Sequence, residues 1–206
     1  KLVMRLMKEE GLTSNVRMKK YRSYRGDVGK IAPDLLRRDF RASKPAQKWV
    51  TDVTEFLLHG HKLYLSPILD LFNGEIVSYT LSERPVLQSV LDMLKTALST
   101  LPKDSNLIFH SDQGWQYQHK TFQKLLKDKN VQQSMSRKGN CLDNSVMESF
   151  FAVLKSELLY LQSFDSLEHF KSELIQYIHY YNNDRIKLKL NGMSPVDYRA
   201  HSFSSA

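Results

Sequence analysis

Three carboxylates in this 206-residue chain stand where an isolated charge is costly: Asp52, Asp112 and Glu148. Asp52 falls inside "WVTDVTEFLL" (49–58), and on an extended strand it shares a face with Val50, Thr54, Phe56 and Leu58. A carboxylate on an apolar face is expensive unless it is paired or bound to a metal. Asp112 follows the apolar run "NLIF" (106–109) and opens "DQGWQYQ". Glu148 comes one turn into a helical pattern whose core stripe is Met147, Phe150, Phe151, Leu154 and Leu158. At about 100° per residue, Asn144, Glu148 and Lys155 fall together on one flank of that stripe. Taken singly, a strand aspartate is more often hydrogen-bonded structure, and a glutamate in a first turn more often a partner of the helix dipole. Taken together, acids from a central strand, a neighbouring strand end and a helix can converge on one edge of a sheet. There they can hold Mg²⁺ or Mn²⁺ at a scissile phosphate, with two ions about 3.5–4 Å apart activating the nucleophile and stabilising the leaving oxygen.

The elements that would position these acids follow from the pattern of the chain. Residues 49–58, 62–70 and 75–81 are rich in β-branched and aromatic residues, with turns at "HGH" (59–61) and "FNG" (72–74), so they read as a three-strand antiparallel meander. A helix is expected over 85–99, with Pro85 near its first turn. A strand at 106–110, a helix at 119–129 and a short strand near 131–134 follow. A loop at 136–143 then leads into a long helix, 144–159, with a second helix at 166–181 and a short one from Pro195. Strands first, then strands alternating with helices, predict an α/β fold: a mixed five-stranded sheet with helices on both faces. Ahead of it come a short helical pattern at 2–10, stopped by Gly11, and an irregular basic arm with room for a short helix after Pro33. The divisions expected are 1–12, the arm 13–48, a core 49–165 and a C-terminal helical extension 166–206.

The totals narrow the class. Thirty Lys and Arg against 22 Asp and Glu give a net charge of +8 and a pI near 9.4, a balance that favours a polyanionic partner, nucleic acid first. Residues 17–48 concentrate it: Arg17, Lys19, Lys20, Arg22, Arg25, Lys30, Arg37, Arg38, Arg41, Lys44 and Lys48 interleave with Tyr21, Tyr24 and Phe40. The single Cys141 excludes an internal disulfide and a Cys-rich zinc site. No apolar run approaches the ~18–20 residues of a membrane span, and no signal-peptide pattern is visible. A reducing, cytoplasmic setting is expected, and the start at Lys1 suggests a fragment whose N-terminal part is missing.

Longer stretches carry a family likeness. "WVTDVTEF" (49–56), "LSPILDLFNGEIVSY" (65–79), "HSDQGWQY" (110–117), "SMSRKGNCLDNSVMESFFAVLKSEL" (134–158) and "YIHYYNNDRIKLKLNGMSPVDY" (177–198) resemble the catalytic domain of bacterial insertion-sequence transposases of the retroviral-integrase-like (rve) superfamily. The likeness is to the group whose transposase is made by frameshifting between two reading frames. Thirty-five residues separate Asp112 from Glu148, which is the family's D,D(35)E pattern. The opening "LMKEEGL" resembles the end of the helix-turn-helix region that precedes this domain. The resemblance implies a ribonuclease-H-like fold, with Asp52, Asp112 and Glu148 as catalytic metal ligands for two Mg²⁺ or Mn²⁺ ions. It implies cleavage at the element's ends to give a 3′-OH, then strand transfer by that 3′-OH onto another phosphodiester. In keeping with this, no Ser, Tyr or Cys stands in a nucleophile-and-base arrangement. The alternatives are a catalytically inactive DNA-binding relative, or a nuclease of the same fold that does not join strands. Expected partners are double-stranded DNA, as element ends and target, and further copies of the chain, at least a dimer when two ends are synapsed. The DNA-bound form would be nucleoid-associated.

Supporting residues are expected as follows. Lys155 matches a Lys or Arg that contacts terminal DNA in the family. Arg137, Lys138, Gly139 and Asn140 form either a basic loop suited to phosphate or a plain turn. Asn144 caps the long helix or meets a phosphate, with capping the simpler role. Asp70 is a fourth acid that either joins the cluster or caps a strand end, with capping the simpler role. His110 either orients a ligand or is structural. Trp115 and Tyr117 either pack or stack on a frayed base. Tyr180, Tyr181, Asn182, Asn183 and Arg185 match the family's C-terminal signature, in a structural role that fixes the last helices on the sheet.

Overall fold

A computed structural model describes residues 2–11, 29–102 and 105–204. The basic residues Arg17, Lys19, Lys20, Arg22 and Arg25, with Tyr21 and Tyr24, lie outside the described residues. Helix α1 (Leu2–Glu9) presents exposed Leu2, Val3 and Leu6.

The sheet is built from β1 (Lys48–Thr51), β2 (Thr54–Leu58), β3 (His61–Asp70), β4 (Ile76–Ser82), β5 (Ile108–Ser111) and β6 (Gln132–Met135). The expected meander is present: β2 pairs antiparallel with β3, and β3 with β4. On its other side β1 pairs parallel with β5, and β5 parallel with β6. Six strand segments replace the five expected, because the strand at 49–58 is interrupted at Asp52 and Val53. Thr51 pairs with Ile68 and Thr54 with Leu65, so β1 and β2 keep one antiparallel register across the gap. The residue facing Asp52 in that register is Pro67, which has no N–H to give the ladder. Side chains satisfy the backbone groups instead. The Thr51 hydroxyl donates to the Pro67 carbonyl (2.8 Å), and Asp52 Oδ1 accepts from the Val53 N–H (2.7 Å).

Helices cover both faces. On one side α2 (Leu87–Ser99) and α4 (Lys120–Asp128) pack Leu91, Leu94, Phe122 and Leu126 against Trp49, Ile68 and Phe109. On the other, α5 (Ser145–Leu154) and α6 (Leu167–Asn183) pack Phe150, Leu154, Phe170 and Leu174 against Val50, Phe56, Leu65 and Leu69. Trp49 and Val50 thus point to opposite cores, as strand alternation requires, and each such side chain stabilises by about 1.5–3 kcal/mol on burial.

The helix expected at 119–129 is α4, and a short unexpected helix, α3 (Trp115–Gln118), precedes it; the two part at extended His119, whose Nδ1 caps α4 by accepting from Thr121 N–H (3.2 Å). Two helix expectations change. The helix expected at 144–159 opens with a 3₁₀ turn (Cys141–Asn144) and closes with a π turn (Lys155–Leu159), in which Tyr160 N–H donates to the Lys155 carbonyl (3.0 Å). The wider turn aims Glu157 at α6, where it accepts from Tyr177 Oη (2.8 Å) and from Arg185 Nε and Nη2. After Pro33 there is a turn rather than a helix, since Arg37 and Arg38 take φ of 49° and 62°.

Residues 29–47 are packed onto the fold. Ser134 Oγ of β6 accepts from the N–H groups of Leu35 and Leu36, Met135 N–H donates to the Pro33 carbonyl, and Leu36 is buried. This stretch covers the β6 edge, which would otherwise offer unpaired backbone groups. Helix α7 (Pro195–Ser204) closes the described chain. The C-terminal signature is structural in the way expected: Asn182 accepts from Ile76 N–H and donates to Ile76 O, both at 2.9 Å, tying α6 to β4.

Candidate active site

Asp52 and Asp112 become neighbours through strand register. Val50 of β1 pairs with His110 of β5 in parallel. Each aspartate comes two residues later, so both leave the same end of adjacent parallel strands, on the same face. In open α/β sheets that carboxyl end is where ligands bind. Each aspartate has one oxygen fixed by backbone: Asp52 Oδ1 by Val53 N–H, Asp112 Oδ1 by Gly114 N–H (2.8 Å). The Oδ2 atom of each accepts no hydrogen bond from the described residues. A Cβ at Gly114 would stand 2.9 Å from Asp112 Oδ1, so any larger residue would displace that carboxylate.

Glu148 arrives on α5, which sits over the same face. Asn144 Nδ2, in the residue before α5, donates to the Thr51 carbonyl (3.1 Å), pinning the helix start to the end of β1. Glu148 itself is exposed. The electrostatics record the gathering. Burial first, then the charges of Asp112 and Glu148, push the Asp52 carboxyl up to about 7. Burial also raises Asp112, against the Gly114 hydrogen bond. Among the described residues no three His, Cys, Asp or Glu side chains are drawn together closely enough to enclose a metal ion as they stand.

The other expected site residues are placed variously. Asn144 makes no side-chain cap. Besides its bond to Thr51, its buried Oδ1 meets no partner among the described residues. Lys155 opens the π turn with Nζ 5.6 Å from the ring centre of Phe56, on the Asp52 face of the strand. Arg137 pairs bidentately with Asp143 (Nε 2.8 Å, Nη2 2.8 Å), which also takes Arg38 Nε at 2.7 Å. These cations hold the Asp143 carboxyl well below the usual carboxylate range. Lys138 is exposed. Asp70 caps its strand end, accepting from Ala46 N–H, Trp49 Nε1 and Phe72 N–H. His110 is buried with its ring nitrogens on Ser134 Oγ (2.8 Å) and Ser136 Oγ (3.1 Å), and burial lowers its proton affinity, so it is structural. Tyr117 is buried, edge-on to Phe122, and packs rather than stacking on a base.

Residue reading missed Gly114 and Asp143. Gly114 could have been found from "DQG", an aspartate two residues ahead of a glycine, which signals a side-chain-closed turn. Asp143 has one partner close in sequence, Arg137 six residues back, but its second, Arg38, is 105 residues away and leaves no local signal.

Known proteins match this architecture. The core of the human T-lymphotropic virus 2 integrase, solved as a trimeric form in complex with magnesium, superposes with a TM-score of 0.60 at 16% identity, over 77% of this chain and 99% of that one. The fold is therefore that of a ribonuclease-H-like integrase catalytic core. The integrase core domain family matches residues 42–141, and a second integrase core family matches 148–203. The InsK transposase of insertion element IS150 from Escherichia coli K12 is 52% identical over 98% of this chain and 72% of its own length. A transposase-like protein of Haemophilus influenzae is 50% identical over 99% of this chain and 94% of its own. The chain belongs to the insertion-sequence transposases, polynucleotidyl transferases with an integrase core.

Proposed function

We propose that the chain cleaves DNA at the ends of an insertion element to expose a 3′-OH, and then joins that 3′-OH to another phosphodiester, with Asp52, Asp112 and Glu148 as the catalytic acids. The observation that carries this is the exit of Asp52 and Asp112 from the same end of two adjacent parallel strands, under the helix that bears Glu148. Their chemistry suits Mg²⁺ or Mn²⁺: the donors are hard carboxylate oxygens, and the two aspartates each keep an oxygen outside any hydrogen bond to the described residues. Asp52, Asp112 and Glu148 would hold two such ions. When bound, they supply charge neutralisation at the phosphate and a more acidic attacking water or hydroxyl.

The chain's own part is orientation. Val53 and Gly114 N–H groups fix which oxygen of each aspartate turns outward. Asp52 gives up its proton as the site is loaded. Asn144 keeps α5 seated so that exposed Glu148 can approach the phosphate from the helix side. Lys155, Arg137, Lys138 and Asn144 are the DNA-contacting candidates. Of these Lys138 is the most open to a phosphate, Arg137 offers only the outer edge of a guanidinium held by Asp143, and Asn144 has a spare Oδ1 that only accepts, which suits a donor on DNA and not a phosphate oxygen. In cleavage, water adds to phosphorus and the 3′ oxygen leaves. In joining, the 3′ oxygen adds and the target's 3′ oxygen leaves. Neither step needs a covalent protein intermediate.

That the relatives are bacterial insertion-sequence transposases supports DNA as the substrate; on this reading the DNA is double-stranded, as element ends and target, and is met in the cytoplasm at the nucleoid. No helix among the described residues is long and apolar enough to cross a membrane. Pairing two ends calls for at least two copies of the chain. The test is a product assay with labelled duplex bearing an element end, Mg²⁺ and a target plasmid. Joined product is expected. Cleaved but never joined strands would show a nuclease, and binding without cleavage an inactive relative.

A further inference from the structure

Helix α4 has a buried face and a basic one. Phe122 and Leu126 are buried beneath it, whereas Lys120, Lys124 and Lys127 are exposed. Steps of four and three residues put these lysines on one stripe, about 10 Å long at 1.5 Å per residue. Several other lysines are paired: Lys62 with Glu55, Lys95 with Asp92, Lys171 with Glu83 and Glu168. Lys120, Lys124 and Lys127 form no ion pair among the described residues, and neither does Asp128, the one acid of α4, a turn beyond Lys124.

Two placements give the stripe a direction. Helix α3 begins three residues after Asp112 and α4 follows it at once, so the stripe starts beside the acid end of the sheet and leads away from it. The basic arm also reaches the fold here. Gly29 packs against the Gln118 carbonyl so closely that no Cβ would fit, and the carbonyl of exposed Lys30 accepts from Gln123 Nε2 of α4 (2.6 Å). The residues before it in sequence include Arg17, Lys19, Lys20, Arg22 and Arg25.

We infer that the Lys120–Lys124–Lys127 face of α4, with Lys30 beside it, is a docking surface for the sugar–phosphate backbone of duplex DNA flanking the phosphate at Asp52 and Asp112. This rests on the DNA substrate of the function proposed above. Ammonium groups on flexible stems meet phosphates as point charges and read no sequence. The surface therefore contributes affinity and alignment, equally for element and target DNA.

The experiment compares three forms of the full chain on a short labelled duplex of arbitrary sequence, by anisotropy between about 50 and 200 mM salt. They are the parent, K120Q/K124Q/K127Q, and K62Q/K95Q/K189Q, which removes the same charge elsewhere. Glutamine keeps helix propensity, so the fold is retained. Each lost phosphate contact lowers the log–log salt slope by about 0.9, so the stripe variant loses about 2–3 in slope and on the order of 10²-fold in affinity near 0.1 M salt. The control variant stays close to the parent. Equal effects in the two triple variants, or none in either, would overturn the docking surface while leaving the proposed function standing. A parent with no salt-sensitive duplex binding would overturn the function itself.

Discussion

Asp52 keeps its proton at a pH where an ordinary aspartate has long lost it, because its half-buried carboxyl is shielded from water and faces the charges of Asp112 and Glu148. A divalent cation must displace that proton, so Mg²⁺ affinity is expected to fall as pH drops through about 7. Calorimetry in buffers of different ionisation enthalpy would show proton release on binding, and a pH-independent affinity would contradict the arrangement. The stability sign is fixed too. A raised carboxyl binds its proton more tightly folded than unfolded, so its contribution is full below about pH 4 and is lost as pH rises to about 7. Asp143 is the opposite case, held low by Arg137 and Arg38. Its contribution is present above about pH 4 and is lost as pH falls. Asp143→Ala should cost about 2 kcal/mol in urea unfolding at neutral pH, through its lost charged hydrogen bonds, and less as the pH is lowered. Asp112→Asn should leave the unfolding midpoint intact while cleavage and joining fall by about 10³-fold or more. Retained strand transfer in that variant would remove Asp112 from the site.

At the scale of elements, the acids depend on two joints. One is the gap between β1 and β2, and the other is the Asn144–Thr51 hydrogen bond that seats α5. Asn144→Ala should destabilise by about 1 kcal/mol and lower cleavage more than it lowers duplex binding, since it lets α5 drift from β1. An equal loss in both assays would make Asn144 a DNA contact instead. The meander, the helices and the 35-residue spacing could be read from periodicity and motif, because those signals are local in the chain. The joints could not. The gap at Asp52 depends on Pro67, fifteen residues on and across the ladder. Asn144 looked like a cap because caps are local, yet its partner is a carbonyl 93 residues away. The π turn at Lys155 answers to Glu157 and Arg185, which meet only after α6 has docked. Arg137 reads as a basic loop residue from the sequence, yet its guanidinium is held by Asp143, which Arg38 also binds.

For the whole molecule, one sheet separates two cores, and the acids emerge at the end where α3, α5 and the 3₁₀ turn meet. The strap 29–47 ties β6 to the loop before α5 through Arg38 and Asp143, so the basic arm and the helix that bears Glu148 share a joint. Synapsis of two element ends should bring at least two chains into one particle, which light scattering of the chain with end duplex would record; one chain per bound end, never paired, would contradict it. The central claim is that Asp52, Asp112 and Glu148 hold the cation that acts on DNA. Its most direct test is anomalous diffraction from crystals of the chain with end duplex, soaked in Mn²⁺. The expected result is manganese about 2.0–2.3 Å from oxygens of Asp52 and Asp112, with Glu148 joining the shell. Well-ordered DNA with no manganese at these acids, or manganese held elsewhere beside the scissile phosphate, would contradict it.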